Sequence, residues 1–281
     1  MSLRRLRPRI LVARLALYLA LAAGALFMLL PLYWMVTSSL KDNQHVFDSP
    51  PQLFPVHPRW DNYPTALTTV PFATFFKNTM IIEVCVIVGT LLSCSMAAYS
   101  FARLRWPGRN VAFVVLLSVL MLPSAATLVP SFLLWHQLHA VDTFLPLIVP
   151  AFFGNSFYIF LLRQFFRGIP RELEDAARVD GAGIVRIFAT IILPLSKPAL
   201  AVVTIFTFIA VWDDYLNPLI YLNSQDNYTL TLGLQYFLSQ FSSRWDLLMA
   251  ASTVLVLPMV VAFLLFQRYF VEGFTLTGLK G

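Results

Sequence analysis

Long uncharged, apolar runs alternate with short charged segments along most of this chain. An α-helix of about 20 residues crosses a hydrocarbon core about 30 Å thick, so each run of about that length predicts a membrane-spanning helix. Five runs qualify, and a sixth is interrupted only by Asp213 and Asp214. They cover residues 15–36, 84–101 with an extension back toward 79, 111–134, 143–162, 198–222 and 247–266. The pattern therefore predicts an all-α integral membrane protein with six transmembrane helices.

The composition supports this class. Of the 281 residues, 58% are hydrophobic and 12% are charged, and the mean hydropathy is +0.73. These values exclude a disordered chain and a soluble enzyme of this size. Cys85 and Cys94 are too few for a disulfide framework or for a four-ligand zinc site, so we expect neither. The stretch HQLHAVD is interpreted as solvated polar residues at a helix end.

The basic residues are distributed unevenly between the two sides of the predicted membrane. With the N-terminus in the cytoplasm, 16 of the 20 Lys and Arg residues fall in cytoplasmic segments and the other four lie outside. Because cytoplasmic segments of membrane proteins are enriched in Lys and Arg, we expect a multi-pass protein of the cell (inner) membrane with both termini in the cytoplasm. The net charge of +6 is then a topology signal.

The domain organisation follows from this topology. We expect a cytoplasmic N-terminal segment at residues 1–14 and one six-helix transmembrane domain at 15–281. Within that domain we expect a cytoplasmic hairpin at 170–194, an outer loop at 223–246 and a cytoplasmic tail at 271–281.

The hairpin is predicted from its helix signals. Pro170 suits the first position of a helix, Gly181 ends that helix in the left-handed conformation, and Pro194 closes a second helix. The apolar positions of the second helix have the i, i+3, i+4, i+7 spacing of one buried face; they are Ile184, Ile187, Phe188 and Ile191. Each helix is too short and too charged to span. The hairpin is either an amphipathic anchor on the inner leaflet or a docking element for a cytoplasmic partner.

Here the sequence resembles the membrane permease subunits of binding-protein-dependent ABC importers. Their signature is E-A-A, three residues, G, nine residues and I-x-L-P, matched by Asp175-Ala176-Ala177, Gly181 and Ile191-Ile192-Leu193-Pro194. Asp175 stands where the family usually has Glu, and Glu174 lies beside it. The stretch FYIFLLRQFFRGIPREL, the Trp212–Tyr215 tetrad and the ending GFTLTGLKG are similar to the carbohydrate, maltose-type branch.

The resemblance implies a type I ABC importer permease fold and a set of partners. These are a second homologous permease subunit, two ATP-binding subunits, an extracytoplasmic sugar-binding protein and the lipid bilayer, with no nucleic acid. ATP and Mg²⁺ would be bound by the partner subunits, so we expect no enzyme activity, catalytic residue, metal site or cofactor in this chain. In agreement, the sequence contains no G-x-x-x-x-G-K-[ST] stretch.

The resemblance also assigns roles to residues. Coupling to the ATPase would involve Glu174, Asp175, Ala176, Ala177, Gly181, Ile191, Leu193 and Pro194. The tail that contacts the ATPase would include Thr277, Gly278, Lys280 and Gly281.

Candidates for the substrate path are chosen by their chemistry. Sugars are bound through carboxylates and amides at their hydroxyls and through aromatic faces at their C–H surfaces. An acid inside a membrane is also a functional candidate by default. The candidates are Asn155, Trp212, Asp213, Asp214, Tyr215, Asn217 and Glu83, and for each one a polar contact between helices is the alternative.

Two other functions are considered. In an ion-coupled secondary transporter, Glu83, Asp213 and Asp214 would be the ion sites, although no internal repeat supports that architecture. In an integral membrane enzyme a catalytic constellation would be expected, and the sequence shows none.

Overall fold

The computed structural model describes residues 8–240 and 244–278, and this part of the chain is mostly helical and has no β-strand. Its helices are α1 (Pro8–Ser39), α2 (Asn62–Thr69), α3 (Phe72–Arg103), α4 (Arg109–Ser118), α5 (Ser124–Gln137), α6 (Leu145–Ile148), α7 (Ser156–Gly168), α8 (Glu172–Val179), α9 (Ile184–Ile187), α10 (Leu193–Leu195), α11 (Lys197–Trp212), α12 (Leu216–Tyr221), α13 (Leu230–Gln240) and α14 (Trp245–Gly278). The predicted all-α class is confirmed.

Within the described residues, four helical stretches are long and apolar enough to cross a membrane. They are Arg14–Ser39, Phe72–Arg103, Leu145–Gly168 and Trp245–Leu265. Two bent pairs raise the number to six if each pair is one span; these are Arg109–Met121 with Ala125–Gln137, bent by 102°, and Ile184–Leu195 with Lys197–Trp212, bent by 77°. The predicted number of six spans agrees with the structure on that counting, although the second pair joins the second hairpin helix to α11 and ends at Trp212.

The predicted continuous helix over 111–134 is wrong. The chain leaves the helical conformation at Leu122, whose backbone is extended with φ −76° and ψ 123°. Pro123 follows it, and the proline ring disfavours helical backbone in the preceding residue. The apolar run is therefore a bent pair of helices.

The run at 198–222 is also not one helix. Helix α11 ends at Trp212, and α12 begins only at Leu216, so Asp213 and Asp214 lie in a break between two helices. Pro218 explains the break, because it has no N–H to donate to the carbonyl of Asp214 four residues earlier. That carbonyl accepts a hydrogen bond from the hydroxyl of Thr231 instead, at 2.7 Å.

In the hairpin, the left-handed glycine is confirmed but the helix limits differ. Gly181 has φ +79°. Helix α8 begins at Glu172, two residues after Pro170. The second helical stretch continues past Pro194 to Leu195, because a π-helical turn at Phe188–Ile192 widens the backbone just before the proline ring.

The buried face of that second stretch also differs from the prediction. Ile187 and Ile192 are buried, and Phe188 and Ile191 are half-buried. Ile184 is 54% exposed. The wider π-helical turn changes the period, so Ile192 enters the core.

Described residues within 71–235 and 256–278 form one compact unit, whose core lies between α3, α7, α11 and the hairpin. Its buried members are Cys94, Ala98, Tyr99, Ala102, Ile159, Leu162, Phe166, Ile169, Ile187, Ile192, Ala199 and Val203. Small residues on α3 allow close packing of neighbouring helices, as is usual in membrane proteins.

A second compact unit comprises described residues within 1–70 and 236–255. The side-chain amide of Asn62 donates to the carbonyls of Ser39 and Lys41, at 2.8 and 2.9 Å, which fixes the end of α1 against the start of α2. The ammonium group of Lys41 lies 4.1 Å from the centre of the Trp34 ring. Burial lowers the pKa of Lys41, and the charge of Asp48 opposes that shift.

We expect Gly181→Val to destabilise the hairpin by about 1–2 kcal/mol, because only glycine adopts this left-handed backbone without a steric cost. A Cβ at Gly181 would meet no atom within 4 Å, so crowding contributes nothing. Gly183→Val is the control, since Gly183 has equally open space and φ −75°. The midpoint temperature of thermal unfolding, measured on the purified protein, should be lowered by Gly181→Val and not by Gly183→Val. Equal shifts would contradict the conformational explanation.

Candidate functional site

The solvent-exposed face of the hairpin carries a carboxylate. The side chain of Asp175 is 64% exposed, and its Oδ1 accepts a hydrogen bond from Nη1 of Arg178 at 2.7 Å. The acids of α8 lie in its first turn, where the helix dipole stabilises negative charge. Asp175 is therefore available to a partner from outside the chain.

The neighbouring acid points the other way. The side chain of Glu174 is 3% exposed, and its Oε1 lies 2.9 Å from Nε of Arg103, an ion contact without the angle of a hydrogen bond. Its Oε2 accepts from Nη2 of Arg178 at 3.3 Å. Both partners of Glu174 thus belong to this chain.

Arg103 is the last residue of α3 and is equally buried. Its Nη2 donates to the carbonyl oxygen of Phe166 at 2.5 Å and also to that of Ile169. These carbonyls belong to the C-terminal end of α7, where helix carbonyls lack partners within the helix. Removing one partner of a buried ion pair costs about 3–5 kcal/mol, because the other charge is left uncompensated.

The rest of the sequence signature is divided between surface and core. Ala176 and Pro194 are exposed, whereas Ala177, Ile191 and Leu193 are half-buried. Ala177 and Ile191 pack against the core of this unit. In the predicted ATPase-contacting tail, Thr277 and Gly278 are the last residues of α14, and Lys280 and Gly281 lie outside the described residues.

The break between α11 and α12 gathers polar side chains. Asp214 is half-buried, and its carboxylate accepts from the backbone N–H of Asn217 at 3.2 Å and from its amide at 2.9 Å. Beside it is a cavity of about 30 Å³, enough for one water molecule. The cavity is lined by Thr79, Ile82, Leu147, Val211, Asp214, Pro218 and Thr229.

Three other predicted path residues lie in this break or next to it. Asp213 is exposed, and the hydroxyl of Tyr215 donates to the side-chain carbonyl of Gln235. Trp212 is 1% exposed and packs between Phe76 and Phe208, with ring centres 6.4 and 5.4 Å away. Asp214, Tyr215 and Asn217 are half-buried or exposed and can meet a ligand directly, whereas Trp212 is buried.

The structure does not bring Asn155 to this group. Asn155 caps α7 by accepting from the N–H groups of Phe157 and Tyr158, and its own N–H donates to Sγ of Cys94. Thr79 lines the cavity at Asp214, and Cys94 is 15 residues further along α3, or about 22 Å. One small sugar cannot contact both places.

Glu83 lies on α3 one helical turn from Thr79, but inside the packing of the chain. It is 2% exposed, and within the described residues neither carboxylate oxygen has a hydrogen-bond partner. An unpaired buried carboxylate is costly and demands an explanation. Its burial keeps it from direct contact with a ligand in this conformation.

Asp142 has a role that sequence reasoning missed. Its carboxylate accepts from the backbone N–H groups of Asn223 and Ser224 and from the Ser224 hydroxyl, and its carbonyl accepts from Asn227. Partial burial raises the pKa of Asp142, but the hydrogen bonds outweigh burial and lower it to about 2. Its left-handed backbone, φ +63°, leaves no sequence signal because the residue is not glycine.

Comparisons with known proteins identify the family and the relatives that share this architecture. Residues 89–275 match the family model described as "Binding-protein-dependent transport system inner membrane component". The chain is 34% identical to the arabinooligosaccharides transport system permease protein AraQ of Bacillus subtilis, over 98% of both chains. It is 33% identical to the sn-glycerol-3-phosphate permease UgpE of Pectobacterium atrosepticum, over 91% of this chain and 94% of the relative.

A solved structure shares the fold. A chain of a bacterial ABC transporter involved in the import of the acidic polysaccharide alginate superimposes with a TM-score of 0.85 at 24% identity, covering 94% of this chain and 99% of that one. This confirms the type I ABC importer permease fold, and none of these relatives supports an ion-coupled secondary transporter. The chain therefore belongs to the family of inner membrane components of binding-protein-dependent transport systems.

Proposed function

We propose that this permease carries a sugar or sugar derivative and forms half of the translocation path beside a second, homologous permease subunit. The relatives support the substrate class, since their names refer to arabinooligosaccharides, sn-glycerol-3-phosphate and, for a Streptomyces coelicolor relative at 32% identity, diacetylchitobiose. All three are rich in hydroxyl groups. The match to AraQ over 98% of both chains is the observation that carries this proposal.

The break between α11 and α12 is the part of the path we assign to substrate contact. Asp214 and Asn217 offer a carboxylate and an amide for hydroxyl groups, and Tyr215 offers an aromatic face. Because the backbone leaves the helical conformation here, these side chains cluster at the helix end. In a continuous helix they would point in different directions around the helix axis. Asn155 and Glu83 are not part of this contact, because the first is distant and the second is buried.

We expect Asp214→Ala to lower uptake by about tenfold, because it removes the acceptor for Asn217 as well as a sugar contact. Asp214→Asn keeps an acceptor oxygen and should retain most uptake of a neutral sugar. Asp213→Ala is the control and should retain uptake, since the exposed Asp213 neither lines the cavity nor bonds to Asn217. The three variants are compared by the uptake of radiolabelled sugar into liposomes that contain the assembled complex. If Asn were as inactive as Ala, the charge itself would be required and the hydroxyl-binding role would fail.

Coupling to ATP is assigned to the hairpin. The partners are two ATP-binding subunits that hold ATP and Mg²⁺, and an extracytoplasmic binding protein that delivers the sugar. Asp175 is the acid we assign to the ATPase contact, because its carboxylate is exposed whereas that of Glu174 is buried. The tail at 271–281 is a second contact with the ATPase in this proposal.

We expect Asp175→Lys to reduce the amount of ATPase that copurifies with the permease, because a positive charge would replace a negative one at the contact. Asp180→Lys is the matched control. Asp180 is exposed at the end of the same helix. Because it lies five residues after Asp175, it faces a direction about 140° away around the helix axis. Full ATPase recovery with Asp175→Lys would leave the hairpin as a membrane anchor.

The orientation is proposed from the Arg and Lys asymmetry, with both termini and the hairpin in the cytoplasm. A single cysteine at Ala182 should resist an impermeant thiol reagent in intact cells, and one at Ser224 should react. The chain for this test has Cys85 and Cys94 replaced by Ala. Labelling of Ala182 from outside would overturn the orientation and the coupling role together.

A further inference from the structure

We propose that Arg103 and Glu174 form a rigid joint that makes the coupling helix α8 and the inner end of α3 move as one body. Motion imposed on the hairpin would then enter the membrane domain through α3. This inference rests on the proposed coupling function and adds to it the residues that pass the motion on. Both are positioning residues, and neither is assigned a contact with the substrate or the ATPase.

The first support is the number of elements that meet at one guanidinium group. Arg103 terminates α3, contacts Glu174 of α8 at 2.9 Å, and donates to the carbonyls of Phe166 and Ile169 at the end of α7. A guanidinium is planar and presents its donors in a fixed fork, so these partners have defined positions relative to one another. Shifting α8 alone would break the ion contact in a place that water does not reach.

The second support is the apolar packing around the pair. Tyr99 and Ala102 of α3 belong to the same buried cluster as Phe166, Ile187 and Ile192, and Ala177 of α8 packs against it. The ring of Tyr99 lies 5.1 Å from that of Phe188. Closely packed interiors transmit displacement because they leave no empty space to absorb it. The hairpin is thus seated on α3 by packing as well as by charge.

The third support is that one turn of α8 carries both an exposed and a buried acid. Adjacent residues of a helix diverge by about 100°, so Asp175 faces outward while Glu174 faces the core. Arg178 bridges them, with Nη1 2.7 Å from Asp175 and Nη2 3.3 Å from Glu174. A force applied at the exposed acid therefore acts on the same helical turn that carries the buried one.

The geometry is tested on the assembled complex with spin labels. One label replaces Val179, which is 88% exposed on the hairpin, and the other replaces the exposed Arg105, two residues beyond α3; Cys85 and Cys94 are Ala. Electron–electron distances are measured without nucleotide and after trapping with ATP and vanadate. The joint predicts that the mean distance changes by less than about 2 Å, the scale of small helix shifts. A larger change overturns it.

Variants test what the joint does. Glu174→Gln keeps the size but removes the charge, so ATPase should copurify normally and still hydrolyse ATP, while sugar imported per ATP falls about tenfold. Arg103→Lys, which keeps a charge but loses the fork, should give an intermediate ratio. An unchanged ratio in Glu174→Gln contradicts the joint, and lost copurification would make Glu174 a direct ATPase contact.

If Glu174→Gln does not accumulate, the distance measurement on the labelled parent complex decides alone. Failure of the proposed function is recognised separately, because the wild-type complex would then show no ATP-driven uptake. A labelled complex that imports sugar but changes its distance between states rejects only the joint.

Discussion

Hydrocarbon offers a peptide group no hydrogen-bonding partner, and this constraint determines where the polar side chains of the chain are found. At three places where a helix stops, a side chain satisfies released backbone groups. Asn155 accepts from the first N–H groups of α7, Arg103 donates to the last carbonyls of α7, and Thr231 donates to the carbonyl of Asp214. These three polar residues therefore have a structural task.

The same constraint concentrates chemistry at the helix breaks. A carboxylate inside a continuous apolar helix must be paired or face water. At the end of α11, the carboxylate of Asp214 accepts hydrogen bonds from the backbone N–H and the side-chain amide of Asn217. It remains half-buried next to a small cavity. A broken span thus offers a protein oxygen-rich groups at low cost, and the proposed sugar contact uses this property.

Much of the architecture is predictable from sequence because hydrophobic runs and a few glycine and proline positions determine it. The Gly181 turn followed from local backbone preference, since no long-range contact is needed to define it. The bend at Pro123 and the break before Pro218 were missed although both prolines are visible, because hydropathy averages over them.

The role of Arg103 could not be predicted from sequence. A basic residue at the inner end of a span is ordinarily explained by topology alone. Its partner Glu174 is 71 residues away in sequence, and only packing brings the two together. Likewise, nothing local distinguishes buried Glu174 from exposed Asp175, or distant Asn155 from the residues near Asp214. Such distinctions depend on which helices become neighbours.

The clamp at Asp142 has a consequence for acid tolerance. A carboxylate whose pKa is depressed in the folded protein contributes stability that is complete above its unfolded pKa and is lost as the pH falls through the folded value. With that value at about 2, the contribution of Asp142 to the connection between its loop and the segment at 223–227 is complete above about pH 4 and declines as the pH falls from there toward 2. A histidine would titrate near neutral pH, so this permease holds these two loops together with a group whose charge does not change in the neutral range.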